Sequence, residues 1–540
     1  MTITDSIDTI KQSAQRFFTG TFLSRISGMG RDLAMAYMFG TGAPIAAFMV
    51  AFRLSNLLRR LFGEGALQSA FIPEFEALRH HSPEHAFRFF RNLLIILAFF
   101  LSLLILSTCG ILSLVLTYAS LSPKSREVIF LTILMLPSLL FICLYGFQAS
   151  LLQCQKNYFT SSIAPIAFNG IWIACVFALK DMEIAAAMPW LAGGVIIATL
   201  AQWLMTVPKT LAILKQNLSI PLWQDVQLYS NDLKRLYKPL FLGIIGVAAS
   251  QINNAVDSLF AFYAEAEGPA LLWYAIRIYQ LPLALFGIAL SGALLPPLSR
   301  AFKAGDLFKY RYFLSESLKQ AVSIMLPLTF FLLLAGSACV NLLYGRGDFN
   351  QQSVAGTTYC LWAYSLGLIP STLVLILAPA CYAQKDYRLP IYTSFFSMAL
   401  NTGLNAILIF IFNLGAISVA LATSVSAWMN LMILLYVLQR RQGGIFSVNL
   451  LKHYFRMGLA ILMTCLGTLG LEWLSQNLYH KSIFWLLLQG QTPYFPRDFG
   501  SQLQACLVQV TLFTFFFIAS IKFLKIEIFW PRSKTLKLSQ

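Results

Sequence analysis

Charge is what this sequence lacks. Only 11% of its 540 residues are Asp, Glu, Lys or Arg, where an ordinary soluble chain carries about a quarter. That scarcity leaves no stretch that reads as a soluble domain. Acids are scarcer still, 22 against 39 Lys and Arg, for a formal charge of +17. The nine cysteines show no CxxC and no paired spacing; scattered through apolar runs, they are expected to behave as small hydrophobes. No DxD or paired motif stands among Glu127, Asp181, Glu183, Glu265, Glu267, Asp348 and Asp498. A membrane-embedded glycosyltransferase or phosphatase needs a general acid, a base or metal-binding carboxylates, so the sequence argues against an enzyme. No cleavable signal is visible, because the first apolar segment follows a polar stretch and carries charges of its own.

What is present in quantity is apolar sequence, 58% of the chain. Apolar segments of about 20 to 30 residues recur from end to end, about fourteen in all, each long enough to cross about 30 Å of hydrocarbon. Only helices or closed barrels satisfy every backbone group in lipid. The expectation is an all-α integral membrane protein of about fourteen transmembrane helices joined by short linkers. With the N-terminus inside, the cytoplasmic connections hold about 26 Lys and Arg and the outer ones about 6, the asymmetry that sets orientation. Both termini are then cytoplasmic. The positive charge belongs at the lipid surface, and no nucleic-acid partner is expected.

A constant offset carries "AFRLSNLLRRLFGEGALQSAFIP" (51–73) onto "AIRIYQLPLALFGIALSGALLPP" (275–297). Ala51 meets Ala275, Arg53 meets Arg277, Leu57 meets Leu281, Leu61-Phe62-Gly63 meets Leu285-Phe286-Gly287, and Pro73 meets Pro297. A nearly equal offset carries "QKNY" (155–158) onto "QKDY" (384–387). Two matches in one order imply a duplication: a six-helix lobe over 1–222, its repeat over 223–445, and two further helices with a basic tail over 446–540. Such repeats are a usual build of secondary transporters, with the substrate site between them near the midplane.

Charges inside apolar spans cost on the order of 2.5–3.5 kcal/mol each on insertion scales. They are Arg25, Arg31 and Asp32 in the first span, Arg53, Arg59, Arg60 and Glu64 in the second, Asp257 in the seventh and Arg277 in the eighth. On one continuous helix, Arg53, Asn56, Arg60 and Glu64 form a narrow polar stripe, with Arg60 and Glu64 spaced to pair. A structural ion-pair network is one reading. The excess of arginine over acid favours another, an anion held by planar, permanently charged forks suited to phosphate. Gly28, Gly30, Gly63 and Gly65 let helices end there and expose backbone N–H groups. A cavity of this kind suits a phosphorylated amphiphile.

"FLSRISGMGRDLAMAYMFG" followed by "AFRLSNLLRRLFGEGALQSAFIPEF" resembles the N-terminal signature of the MurJ (MviN) lipid II flippases, and "LFGIALSGALLPPLSRAF" and "APACYAQKDYRLP" resemble its later motifs. The likeness runs through most of the first twelve spans and thins in the last two. It implies the multidrug/oligosaccharidyl-lipid/polysaccharide exporter superfamily, with two six-helix lobes and two extra helices forming a lipid-facing groove. The implied activity is movement of undecaprenyl-diphosphate-linked peptidoglycan precursor (lipid II) across the bacterial inner membrane by alternating access. By the resemblance, Arg25, Arg31, Arg59 and Arg277 match cavity arginines proposed to hold the diphosphate, and Arg60 and Glu64 match an adjacent charged pair. Where the family often has an aspartate, this chain has Ala46; Glu64 or Asp32 are candidate substitutes. No cofactor is expected. A monovalent cation or the membrane potential is the expected driving force, peptidoglycan-synthesis enzymes are candidate partners, and a monomer is expected.

Asp257, Asn401 and Asn405 offer carboxylate and amide oxygens suited to a hard cation, and equally to an interhelical hydrogen-bond network. "HHSPEH" (80–85) lies in a loop without cysteine and reads as a solvated segment, not a metal site. An exporter of another polyprenyl-linked saccharide would use the same arginines, whereas a drug exporter for cationic cargo would favour acids.

Overall fold

Polar residues placed just ahead of apolar runs start many of the helices. Ser82, Ser122, Asp306, Asn350 and Asp498 each accept a backbone N–H from the first turn that follows, as N-caps do. The structure, a computed structural model, describes residues 7–526 apart from 64, 220, 222, 223, 228, 230, 444–447 and 477–493. Among the described residues all regular structure is helical.

In order the helices are α1 (Ile7–Phe39), α2 (Ala43–Ser55), α3 (Arg59–Phe62), α4 (Ala66–His81), α5 (Pro83–Tyr118), α6 (Pro123–Met135) and α7 (Ser138–Cys154). Then come α8 (Tyr158–Ala178), α9 (Ile184–Leu204), α10 (Val207–Asn217), α11 (Asn231–Ala264) and α12 (Gly268–Pro282). A π-helical turn, Leu283–Ile288, leads into α13 (Ala289–Lys303) and α14 (Leu307–Tyr344). The remainder are α15 (Gln351–Ser365), α16 (Leu368–Ala383), α17 (Arg388–Phe410), α18 (Ile417–Gln442), α19 (Val448–Gln476) and α20 (Phe499–Phe523).

Among the described residues nine helices are long and apolar enough to span a membrane, and two bent pairs, α6 with α7 at 46° and α15 with α16 at 40°, raise the number to 11. The segments expected near residues 28, 60 and 246 are also helical, but α1 and α11 carry charges and the second span is broken into α2, α3 and α4.

The chain divides into two compact units, Met1–Phe262 and Tyr263–Gln540. The first is built on aromatic packing: Phe147 lies 4.8 Å from Phe90 and 4.9 Å from Phe71 between ring centroids. The second centres on Tyr310, Leu314, Ile376, Leu377 and Leu434, with a smaller cluster of Met457, Ala460 and Ile526 where α19 and α20 meet Leu326 of α14. Each unit buries its apolar interior while presenting phenylalanine and leucine outward, as on α5, where Phe99 and Leu106 are exposed.

The break after α2 corrects the single polar stripe expected over Arg53–Glu64. Asn56 turns its side-chain amide onto the Phe52 carbonyl (2.9 Å), and the backbone tightens through Leu57 N to Leu54 O (3.2 Å) and Arg59 N to Asn56 O (3.1 Å). Side-chain amides that bond the local backbone in this way compete with helix continuation. Gly65 then adopts φ 93°, a region that side chains with a Cβ avoid. Positions 53 and 59 therefore lie on different helices, which one continuous 100° wheel does not describe.

Candidate functional site

In the first unit, α1 and α8 hold Arg31 in a closed box. Its Nε and Nη2 donate to Asp32 Oδ1 at 3.2 and 2.8 Å, and Nη1 donates to Asn169 Oδ1 at 3.3 Å. Asn169 in turn donates to Ser27 Oγ at 2.9 Å. The guanidinium lies 4.9 Å from the Trp172 ring and 5.8 Å from Phe168, a cation–π arrangement that gains strength when desolvated. Phe52 packs edge-on against Trp172 at 5.0 Å. Arg31 and Asp32 are only 8% and 5% exposed. A buried arginine is tolerable here because its charge is matched and most of its donors are used.

Arg25, further toward the start of α1, is exposed. Arg53, at the end of α2, donates to Ser258 Oγ and, at 3.3 Å, to the Asn254 carbonyl of α11. Arg59 opens α3 and is half-buried. Arg60 lies in α3 by its backbone; its side chain and Glu64 fall outside the described residues, and with them the expected pair. Ala46, which stands where the resemblance led to an aspartate in other family members, is fully buried in α2. In the second unit Arg277 is half-buried, its guanidinium 4.5 Å from the Trp273 ring one turn earlier.

Beside the arginine-bearing break lies an apolar pocket of about 280 Å³ between α2, α5 and α6, lined by Leu57, Leu58 and Leu104 among others. Its hydroxyls are spent on their own helices: Ser55 on Phe52 O (3.1 Å), Thr108 on Leu104 O (2.7 Å) and Thr132 on Val128 O (2.7 Å). The volume is roughly twice that of the apolar cavity that admits benzene (~150 Å³). It offers room for hydrocarbon and no polar anchor.

Each candidate ion ligand has a side-chain hydrogen bond within its own unit. Asp257, 8% exposed, accepts from Asn253 Nδ2 at 3.2 Å. On α17, Asn405 donates to Asn401 Oδ1 at 3.0 Å, and Asn401 donates to Thr423 Oγ1 of α18 at 3.3 Å. His85 of the "HHSPEH" segment bonds Asp232 at 2.8 Å, tying α5 to α11.

Sequence reading missed the residues that hold the arginines: Asn169, Trp172, Ser258 and Trp273. A signal existed, since Asn169 and Trp172 share one face of α8 and Trp273 and Arg277 one face of α12.

Residues 35–489 match the family model described as "Lipid II flippase MurJ". A "Probable lipid II flippase MurJ" of Chlamydia pneumoniae is 31% identical over 529 residues, 97% of this chain and 94% of that protein. Its namesake in Chlamydia trachomatis serovar D is 32% identical over 433 residues, covering 80% and 79%. Among solved structures, "Lipid II flippase MurJ, inward closed conformation" superposes with a TM-score of 0.72 at 22% identity, covering 94% of this chain and 99% of the other. An inward-facing multidrug resistance MATE transporter of the MOP superfamily gives 0.57 at 15% identity, covering 82% and 97%. At those identities the structural likenesses speak for the fold alone.

Proposed function

The chain belongs to the lipid II flippase MurJ family, and from that premise we propose that it carries lipid II from the cytoplasmic to the outer leaflet of the bacterial inner membrane by alternating access. It is a multi-pass membrane transporter, not an enzyme, serving peptidoglycan biosynthesis. Family membership over residues 35–489 is the observation that carries the cargo's identity. The arginine setting supplies a chemical reason for it.

The diphosphate carries charge that only cations or N–H donors can replace on leaving water. Arg59, Arg53, Arg25 and Arg277, with Arg60 beside them in sequence, are the ligands we assign to it. Arg31 is committed to Asp32 in this conformation. It joins the cargo only if phosphate displaces the carboxylate, so Asp32 stands in for the anion when no cargo is bound. The dry pocket against α5 takes a short length of the isoprenoid tail, most of which stays in lipid. Basic ends support termini facing the cytoplasm: Lys309 and Arg311 start α14, Arg440 and Arg441 end α18, and Lys522 ends α20. Monomeric action and an ion or voltage drive belong to the same proposal. The Asp257 and Asn401–Asn405 hydrogen bonds support a structural use of those residues over an ion site.

The test is complementation of bacteria depleted of their own lipid II flippase. Wild type should restore growth. Arg59→Ala and Arg277→Ala, at matched membrane levels, should fail, because losing a charge-assisted contact to phosphate costs about 1.5–3 kcal/mol, roughly tenfold to a hundredfold in affinity. Wild type that inserts but does not rescue would point to another polyprenyl-linked cargo. Rescue by both variants would make the arginines structural.

A further inference from the structure

The nine cysteines, expected to serve as scattered hydrophobes, include one interhelical pair. Cys339 of α14 and Cys506 of α20, both free thiols, are neighbours across the two helices. The meeting follows from the register of two antiparallel helices. On one side of the pair, Gln502 Nε2 donates to Asn341 Oδ1 at 3.4 Å. On the other, the rings of Phe331 and Phe513 lie 5.5 Å apart. Cys339 falls between Phe331 and Asn341 on α14, and Cys506 falls between Gln502 and Phe513 on α20, so the same register places them opposite each other.

That register is pinned at the adjoining helix ends. Gln502 Nε2 also donates to the Gly345 and Pro496 carbonyls, both at 2.9 Å, and Asn341 Nδ2 donates to Pro496 O at 3.0 Å. Gln351 holds the Phe495 backbone in both directions, accepting its N–H and donating to its carbonyl, each at 2.8 Å. These helix ends are opposite the basic ends of α14 and α20. On the orientation proposed above, on which this inference rests, they face the outer side, where disulfides persist.

We propose that Cys339 and Cys506 form a disulfide that fastens the final helix to α14 on the outer side of the membrane. The oxidant is a disulfide-bearing protein or small molecule. Cys339, the more exposed of the two, loses its proton to water and its thiolate attacks one oxidant sulfur, releasing the other as a thiol. The Cys506 thiolate then attacks Cys339 Sγ in this mixed disulfide and releases the second oxidant thiol. Two thiols become one S–S bond, and two electrons and two protons pass to the oxidant. Because α19 and α20 also pack on α14 through Met457, Ala460, Leu326 and Phe517, the bond makes the last helix pair travel with α14.

The experiment uses the full chain in native membrane vesicles. The protein is denatured in detergent with or without prior reduction and labelled with a polyethylene-glycol maleimide, which adds one gel step per free thiol. Reduced protein should take a label on each of its nine cysteines. Unreduced protein, or protein treated with copper–phenanthroline and oxygen, should take two fewer. Cys339→Ser and Cys506→Ser should each show no difference between the two conditions. In the double-serine background, Asp348→Cys should react with a membrane-impermeant maleimide from outside. Full labelling after copper–phenanthroline, with Asp348→Cys accessible from outside, overturns the disulfide while leaving the orientation intact. Reaction of Asp348→Cys only from the inside overturns the orientation and the proposal with it.

Discussion

The stretches after Arg53 and after Arg277, which one constant offset aligns in the sequence, are built by different means. In the first half the chain leaves the helix twice, through the turn at residues 56–58 and again at Gly63 and Gly65. In the second half the same register falls in the π-helical turn Leu283–Ile288, and the backbone stays wound. Where the first half has Arg59, Arg60, Glu64 and Gly65, the second has Leu283, Ala284, Ile288 and Ala289. Turns of the π kind concentrate at functional places. The difference teaches that only one half of this pair carries charge: the first break presents arginines, while the second supplies a bend lined by apolar side chains. Arg53 and Arg277, equivalent in sequence, diverge in the same way, one bonded to α11 and the other stacked on Trp273.

Close packing gives the sharpest way to break this contrast. The first break rests against α7 with almost no space: a Cβ on Gly146 would lie 2.3 Å from the Gly63 carbonyl oxygen, against backbone that cannot step aside. A Cβ on Gly287 would meet only methyl groups, Leu283 Cδ1 at 3.2 Å and Thr372 Cγ2 at 3.4 Å. Gly146→Ala should therefore destabilise by about 1–3 kcal/mol or more, and Gly287→Ala by well under ~1 kcal/mol, since side chains there can shift. Thermal unfolding of the purified variants measures both. Equal shifts would show that the two breaks are packed alike.

Backbone conformation gives a smaller effect. Gly65 sits at φ 93°, where any side chain is strained by roughly 1–3 kcal/mol, whereas Ala289 is helical. Gly65→Ala should lower stability by about that much and reduce rescue in the complementation assay by favouring a wound second span. The reciprocal Ala289→Gly should cost about 0.5–1 kcal/mol, the ordinary loss for glycine within a helix, and leave rescue unchanged. Loss of rescue in Ala289→Gly alone would place the essential break in the second half instead.

Much of this architecture was legible in the sequence because lipid makes apolar length decisive, and the spans around residues 103, 168, 326 and 515 needed nothing more. The stripe from Arg53 to Glu64 misled because a helical wheel assumes continuity. What ends the helix is a side-chain amide at Asn56 and the left-handed backbone of Gly65, and neither leaves a mark in hydrophobic periodicity. Arg31 was legible as a buried charge, but its box was not: Asn169 and Trp172 come from a helix far along the chain, and only tertiary packing brings them to it. The amides of Gln351 and Gln502 are ordinary in composition, so their role in pinning the last helix was invisible until partners were known.

The smallest contrast lies at "QKNY" and "QKDY". Both turns put lysine in the left-handed region, Lys156 at φ 57° and Lys385 at φ 61°. Both close with the same backbone bond, Asn157 N to Leu152 O at 2.8 Å and Asp386 N to Cys381 O at 3.1 Å. The difference is charge. Asp386 accepts from the Arg388 and Leu389 N–H groups at 3.0 and 3.1 Å and pairs with Arg441. That guanidinium holds its carboxyl below the usual value of 3.8. A depressed carboxyl stabilises the fold fully above its unfolded pKa; the contribution shrinks as pH falls below that value and is gone once pH passes the lowered folded one. Asn caps as well as Asp does, so Asp386→Asn removes the charge and keeps the cap. Its cost at pH 7 should stay below about 1 kcal/mol, because the pair is half exposed and solvent screens it. That cost should shrink as pH falls below the usual carboxyl value of 3.8 and vanish below the lowered folded one, which thermal unfolding of both proteins at pH 7 and at progressively lower pH reads directly. A loss that persists at the lower pH would assign Asp386 to capping geometry alone, and would make the two turns alike in everything but sequence.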